Sequence, residues 1–297
     1  MASVTERRPG VVTRTSAFFF RHRHVRLGLT LGLPILWFIG IYIGSLVVMF
    51  ISAFWTKDPF SGVIVHSWSF TNFQTLLENP VYRTITLRTI RLAASVTITD
   101  IVLAFPLAYL AARLSSNRTR NAILVAVVIP LWANYLVRIF AWKLILTPNG
   151  FLNWLASPFG FTLNLANSEW AIWLTFVYLW LPFTMLPIYG ALERVPNSYL
   201  EASGDLGARG WLTFRRVLFP LIVPGIVAGS IFSFSLTLGD YIVPSLVGNT
   251  KFIGNVIYDS FGIADNVPFA AAYALVPVAI MAVYLLLAKR AGAFEAL

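Results

Sequence analysis

The sequence predicts an all-α integral membrane protein with six transmembrane helices. Composition points there first: 58% of the 297 residues are apolar and only 11% are charged. Soluble domains carry roughly 25% charge, so a chain this apolar has too little polar surface to cover itself in water. Second, six apolar windows stand out, at about 27–54, 89–112, 122–144, 170–192, 220–243 and 269–288. Each is long enough to cross a hydrocarbon layer of ~30 Å at about 1.5 Å per residue. No ten-residue alternation of the barrel kind occurs, so helices are the expected spans. Third, the basic residues gather in alternate connections.

Taken in order, the chain opens with a basic arm, 1–26, holding Arg7, Arg8, Arg14, Arg21, Arg23 and Arg26. The first span, 27–54, follows. Its apolar run exceeds the roughly 7–15 residues of a signal-peptide core, so it reads as a retained anchor. An outer loop is expected over 55–88. A core of five helices then occupies 89–288 and contains a polar loop at 193–219. A short tail, 289–297, carries Lys289 and Arg290. The inner connections hold Arg113, Arg118 and Arg120, then Arg194, Arg209, Arg215 and Arg216. Most of the 22 Lys and Arg thus lie on one side. The positive-inside rule makes that side cytoplasmic, with both termini there. This distribution accounts for the net charge of +10 without nucleic acid. The other outer loops, 145–169 and 244–268, are rich in Pro, Gly and Asn, as in Thr147-Pro148-Asn149-Gly150. They read either as plain connections or as a resting place for a soluble partner. Trp37, Trp55, Trp68, Trp132, Trp142, Trp154, Trp170 and Trp173 fall near expected interfaces, where indoles anchor.

Several chemistries are excluded. Cys is absent, which rules out disulfides and thiolate metal sites. There is no G-x-x-x-x-G-K-[ST] loop to hold nucleotide phosphates and no G-x-S-x-G elbow. His22, His24 and His66 lie outside the spans, which excludes intramembrane His chemistry. No metal site is expected. What remains is a conduit, an anchor or a receptor, not an enzyme.

The polar loop is the most informative segment. Pro196-Asn197-Ser198 is a helix-start signal, with Ser198 as N-cap and Glu201 as its reciprocal partner three residues on. A short helix through Glu201-Ala202-Ser203 presents small side chains that permit close approach. Gly207 breaks or turns it. A second helical stretch, Trp211 to Phe219, leads into the span opened by Pro220. The alternative reading is an ordinary amphipathic connection.

Glu201, Ala202, Ser203 and Gly207, followed by Phe219-Pro220, resemble the cytoplasmic signature of permease subunits of binding-protein-dependent ABC importers. That signature reads Glu-Ala-Ala-x-x-x-Gly and ends in Leu-Pro; this chain departs from it at Ser203 and Phe219. The likeness extends through Pro130-Leu131-Trp132-Ala133-Asn134-Tyr135-Leu136-Val137-Arg138, Leu181-Pro182-Phe183, Leu186-Pro187-Ile188-Tyr189-Gly190, and Leu238-Gly239-Asp240-Tyr241-Ile242-Val243-Pro244. It is strongest toward the first permease subunit of spermidine/putrescine importers; relatives carry opines, ferric iron, thiamine or phosphonates. The resemblance implies the type I importer permease fold in a bacterial inner membrane. It implies a coupling helix whose docking residues are Glu201, Ala202, Ser203, Asp205 and Gly207. It also implies partners: an ATPase homodimer, a second related permease and an extracytoplasmic solute-binding protein. No cofactor is expected in this chain; ATP and Mg would be bound by the ATPase subunits.

Two acids fall in or near spans, Asp100 and Asp240. An embedded acid costs roughly 2.5–3.5 kcal/mol on insertion scales, so it faces a partner or a wet cavity. Carboxylates and aromatic faces both attract ammonium groups. Asp240, Tyr241, Trp142, Tyr178 and Asp100 are therefore the candidate path for a cationic solute. Alternatively, Asp100 and Asp240 pair with Arg138, Arg88 or Arg91 and lock helices together. Pro106, Pro130, Pro182, Pro187 and Pro277 are candidate kinks. A secondary transporter would instead need broken helices in inverted repeats, and no internal repeat is evident.

Overall fold

The computed structural model describes residues 23–290. Most of the basic arm and the tail from residue 291 lie outside the described residues. Helix dominates, as hydrocarbon demands of a backbone that has no water to bond. The first span joins α1 (Arg23–Trp37), a π-helical stretch (Phe38–Ile43) and α2 (Gly44–Ser52). Only 6% of its most apolar window is buried, so it stands at the margin of the bundle with most of its surface uncovered.

The segment expected as a loop at 55–88 is structured. It holds a two-stranded antiparallel pair, β1 (Thr56–Lys57) with β2 (Ile64–Val65), and then α3 (Thr71–Glu78). Asn72 Nδ2 donates to the carbonyls of Ala53 and Trp55, at 3.0 and 2.8 Å, and ties α3 to the end of the first span. In the hairpin turn, the backbone N–H groups of Ser61 and Phe60 hold the Asp58 carboxyl below its ordinary value.

α4 (Pro80–Tyr109) starts at Pro80 rather than at 89. Asn79 caps it by accepting the Val81 N–H, and Pro80 sits in the first turn, where its missing N–H costs nothing. Arg83, Arg88 and Arg91 ride on this helix. A π-helical turn (Leu110–Leu114) ends it.

The third window does not form one straight helix. α5 (Asn117–Trp132) and α6 (Tyr135–Ile145) meet at 99°. Ala133 and Asn134 adopt extended ψ of 143° and 140°, and the Asn134 side chain accepts the Leu136 N–H at 2.9 Å. A fresh N-cap therefore starts a second helix where the apolar run reads as continuous.

After α7 (Phe151–Ala156) come α8 (Glu169–Arg194), α9 (Asn197–Asp205) and α10 (Gly210–Thr213). A π-helical turn (Phe214–Leu218) joins α10 to α11 (Phe219–Gly239), making Gly210–Gly239 one continuous span. α12 (Ile242–Val247), α13 (Ile253–Gly262) and α14 (Val267–Arg290) complete the chain. Five helical runs are long and apolar enough to cross a membrane, and the bent pair counted as one span makes six.

α4, α8 and α11 form the centre of the bundle. Small residues let them approach. A Cβ on Gly229 would lie 2.7 Å from the Thr184 carbonyl oxygen, and one on Gly225 would lie 2.4 Å from Ala191 Cβ. Ala104, Ala108 and Ala111 pack against Met185, Ile188 and Leu192 at one end of this core. A second cluster, with Ile139, Phe176, Trp180 and Val243, fills the other end.

Candidate functional site

Two sites lie at opposite ends of α11. The first is the polar loop. α9 starts after Pro196, not after Ser198. Ser198 is thus inside the helix, and no side-chain cap bond forms at its start. Gly207 adopts φ +78°, a left-handed conformation that suits glycine, and the Ala208 N–H returns to the Ser203 carbonyl at 3.0 Å. The chain reverses there and enters α10.

Of the five expected docking residues, Glu201, Ala202, Asp205 and Gly207 are exposed. Ser203 faces inward: it is 8% exposed and its hydroxyl lies 2.9 Å from that of Thr213. It staples α9 to α10. Leu206, which drew no attention in the sequence, is 89% exposed, and Tyr199 and Trp211 are exposed beside it.

Arg113 anchors this loop. Its guanidinium donates to Asn197 Oδ1 at 2.6 Å and to the carbonyls of Leu192 and Val195 at 2.5 Å. It satisfies the last carbonyls of α8 and fixes the start of α9 relative to the end of α4. The sequence showed Arg113 only as one of several topogenic charges. No local pattern announces a contact to residues about eighty positions away.

The second site is the cluster at the far end of α11. Asp240 ends that helix. Its Oδ1 accepts the Ile242 and Val243 N–H groups at 2.8 and 2.9 Å, which caps α12. Its Oδ2 accepts the Tyr135 hydroxyl. Tyr135 stacks on Trp180, with ring centroids 6.0 Å apart, and the Arg138 guanidinium carbon lies 5.8 Å from the Tyr135 ring centroid. Arg138 is 9% exposed, and its Nε and Nη1 are buried without a partner, as is Trp180 Nε1. Trp142 and Tyr178 pack against the same apolar cluster and touch each other, centroids 5.4 Å apart. Tyr241 turns away and stacks on Tyr258 at 4.5 Å.

Asp100 is not part of this cluster. It is fully buried between α4 and α11 and accepts the Ser233 hydroxyl at 2.5 Å; its Oδ1 has no partner. Ser233 precedes Asp240 by about two turns, or roughly 10 Å of helix. The structure also replaces the expected acid–arginine pairs. Arg88 and Arg91 bind Glu169, at 3.1 and 2.8 Å, and join α4 to α8. Neither Asp100 nor Asp240 forms an ion pair among the described residues.

Comparison with known proteins decides the family. Residues 104–293 match the profile of the binding-protein-dependent transport system inner membrane component family. The chain belongs to that family. It is thus an ABC importer permease, a multi-pass inner-membrane transport subunit and not an enzyme. The permease is 43% identical to the inner membrane ABC transporter permease protein YdcU of Escherichia coli, over 98% of this chain and 97% of that one. It is 33% identical to the spermidine/putrescine transport system permease protein PotB of Haemophilus influenzae, over 85% of this chain and 88% of that one. Its fold matches a chain in the crystal structure of a bacterial alginate ABC transporter in complex with an alginate pentasaccharide-bound periplasmic protein. The TM-score is 0.75 at 17% identity, covering 92% of this permease and 96% of that chain.

Proposed function

We propose that this permease forms half of the membrane pathway of an ATP-driven importer for polyamines, spermidine or putrescine. The observation that carries the solute class is the 33% identity to PotB, a spermidine/putrescine permease, over 85% of this chain. The cluster around Asp240 agrees with it: a carboxylate bonded to Tyr135, whose ring stacks on Trp180, is chemistry that attracts ammonium groups.

In this reading a solute-binding protein delivers the amine to the outer loops, and a second, related permease supplies the other half of the pathway. An ATPase homodimer, which binds ATP and Mg, grips the loop around Glu201 from the cytoplasm. The exposed Glu201, Ala202, Leu206 and Gly207 form the docking face, and Ser203 with Arg113 keeps that face rigid. The basic arm, the tail and this loop then share the cytoplasmic side.

The test is uptake of labelled putrescine and spermidine by proteoliposomes holding the complete transporter with its binding protein. Glu201→Arg reverses the charge at the docking face. It is expected to cut uptake by about tenfold or more while the protein still inserts, because a like-charge contact across an interface costs several kcal/mol. Normal uptake by that variant defeats the coupling role. Uptake blocked by an opine, ferric iron, thiamine or a phosphonate, but not by a polyamine, defeats the choice of solute.

A further inference from the structure

We propose that Tyr135 is a switch residue: it holds Asp240 in the state seen here and yields it to Arg138 in a second state of the transport cycle. The juxtaposition of three side chains carries this. Tyr135 and Arg138 lie one turn apart on α6, on the same side of that helix, and so share a neighbourhood. Asp240 belongs to the end of α11. The Tyr135 hydroxyl bonds Asp240 Oδ2 while the Arg138 guanidinium rests by the same tyrosine ring. One tyrosine therefore touches a carboxylate through its hydroxyl and a buried cation beside its ring.

The cluster has donors to spare and one acid. Arg138 Nε and Nη1 and Trp180 Nε1 are all buried without an acceptor. Removing a guanidinium from water without a partner is costly, and such a charge is kept only where an anion reaches it. Glu169 already binds Arg88 and Arg91. Asp100 lies about two turns away along α11. Asp240 is the acid of this cluster, and the Tyr135 hydroxyl occupies its Oδ2. A turn of the Tyr135 side chain lets the carboxylate and the guanidinium meet.

This gives α6 two discrete ways to hold the end of α11, which a switching element requires. The helical run Gly210–Gly239 leads directly from the polar loop to Asp240. In this proposal a push on that loop reaches the Tyr135–Asp240 bond along that run. In the Tyr135-held state Asp240 has no ion-pair partner among the described residues. In the Arg138-held state it gains one. The inference rests on the cationic-solute reading in one respect: an ammonium group competes for Asp240 in the first state and is expelled in the second.

The experiment uses the complete transporter in proteoliposomes and reads two rates, basal ATP hydrolysis without binding protein and polyamine uptake with it. Tyr135→Phe removes one hydroxyl and keeps the ring. Basal hydrolysis per purified complex is expected to rise about tenfold, because a hydrogen bond to a carboxyl group has been lost from the Tyr135-held state alone. Arg138→Gln and Asp240→Asn are expected each to lower uptake about tenfold, and the double variant to sit near the Asp240→Asn level, since contacting residues are non-additive. Unchanged basal hydrolysis in Tyr135→Phe, or a double loss equal to the product of the single losses, overturns the switch. Basal hydrolysis involves no solute. A wild-type complex that moves no polyamine, while Tyr135→Phe still raises hydrolysis, overturns the solute assignment and leaves the switch standing.

Discussion

At the residue scale, the packing of α8 on α11 depends on two missing side chains. Gly225 and Gly229 let the helices touch backbone to backbone, and the atoms that a Cβ would strike are carbonyl oxygens and an alanine Cβ, none able to swing aside. Gly229→Ala is expected to lower stability by about 1–3 kcal/mol, the range for overpacking a filled core. Thermal unfolding of the purified complex checks it. Gly190→Ala is the control, because nothing lies within 4 Å of the added carbon there. Its midpoint should hold or rise slightly, as alanine replaces glycine inside a helix. Equal losses at 190 and 229 contradict the contact geometry. The same scale shows where sequence reading stops. Glu201, Ala202 and Gly207 announce themselves through local spacing and glycine chemistry. Arg113, Tyr135 and Leu206 do not, since each matters through something distant: carbonyls of α8, a carboxylate at the end of α11, or a partner's surface.

At the element scale, apolar length located the helices well, because hydrocarbon thickness fixes the minimum run. Their interruptions were less legible. The third window contains no glycine, and its one proline, Pro130, sits two residues before Trp132, where α5 ends. The break needs Asn134 in an extended conformation with its side chain turned onto the Leu136 N–H, a choice that surrounding packing makes. The start of α4 was hidden for the opposite reason. Arg88 and Arg91 look like water-seeking charges until Glu169, at the head of α8, supplies their counter-charge. These elements make a prediction of their own. Asn134→Ala removes a cap and is expected to cost about 1 kcal/mol of stability, while Asn134→Asp should keep most of it. The unfolding midpoint of the purified complex distinguishes the two. A stabilised alanine variant means the bend is held by something other than the cap.

At the scale of the whole molecule, everything hangs on which end of α11 faces which compartment. The two sites stand at opposite ends of the Gly210–Gly239 run, which is about 45 Å long at 1.5 Å per residue and so exceeds a ~30 Å hydrocarbon layer. Such a run tilts, or carries its first turns into the water beside the polar loop. The positive-inside rule makes the cytoplasm the expected side for that loop, and the chain itself offers a clean way to check, because it has no cysteine. Phe60, in the hairpin after the first span, is 100% exposed, and Leu206, in the polar loop, is 89% exposed. A single cysteine at either place should leave packing intact, since neither side chain is buried. In intact cells a membrane-impermeant maleimide should label Phe60→Cys and spare Leu206→Cys. In inverted vesicles stripped of the ATPase subunits the pattern should reverse. Two positions that label from the same face cannot be reconciled with an odd number of crossings between them. The broken third span is what makes the outcome informative: with α5 and α6 crossing together, residues 60 and 206 are separated by three spans, and with the pair folding back to its own side they are separated by two. Opposite labelling therefore establishes that the bent pair traverses the bilayer, and it places the Tyr135–Asp240 contact toward the face from which the solute arrives.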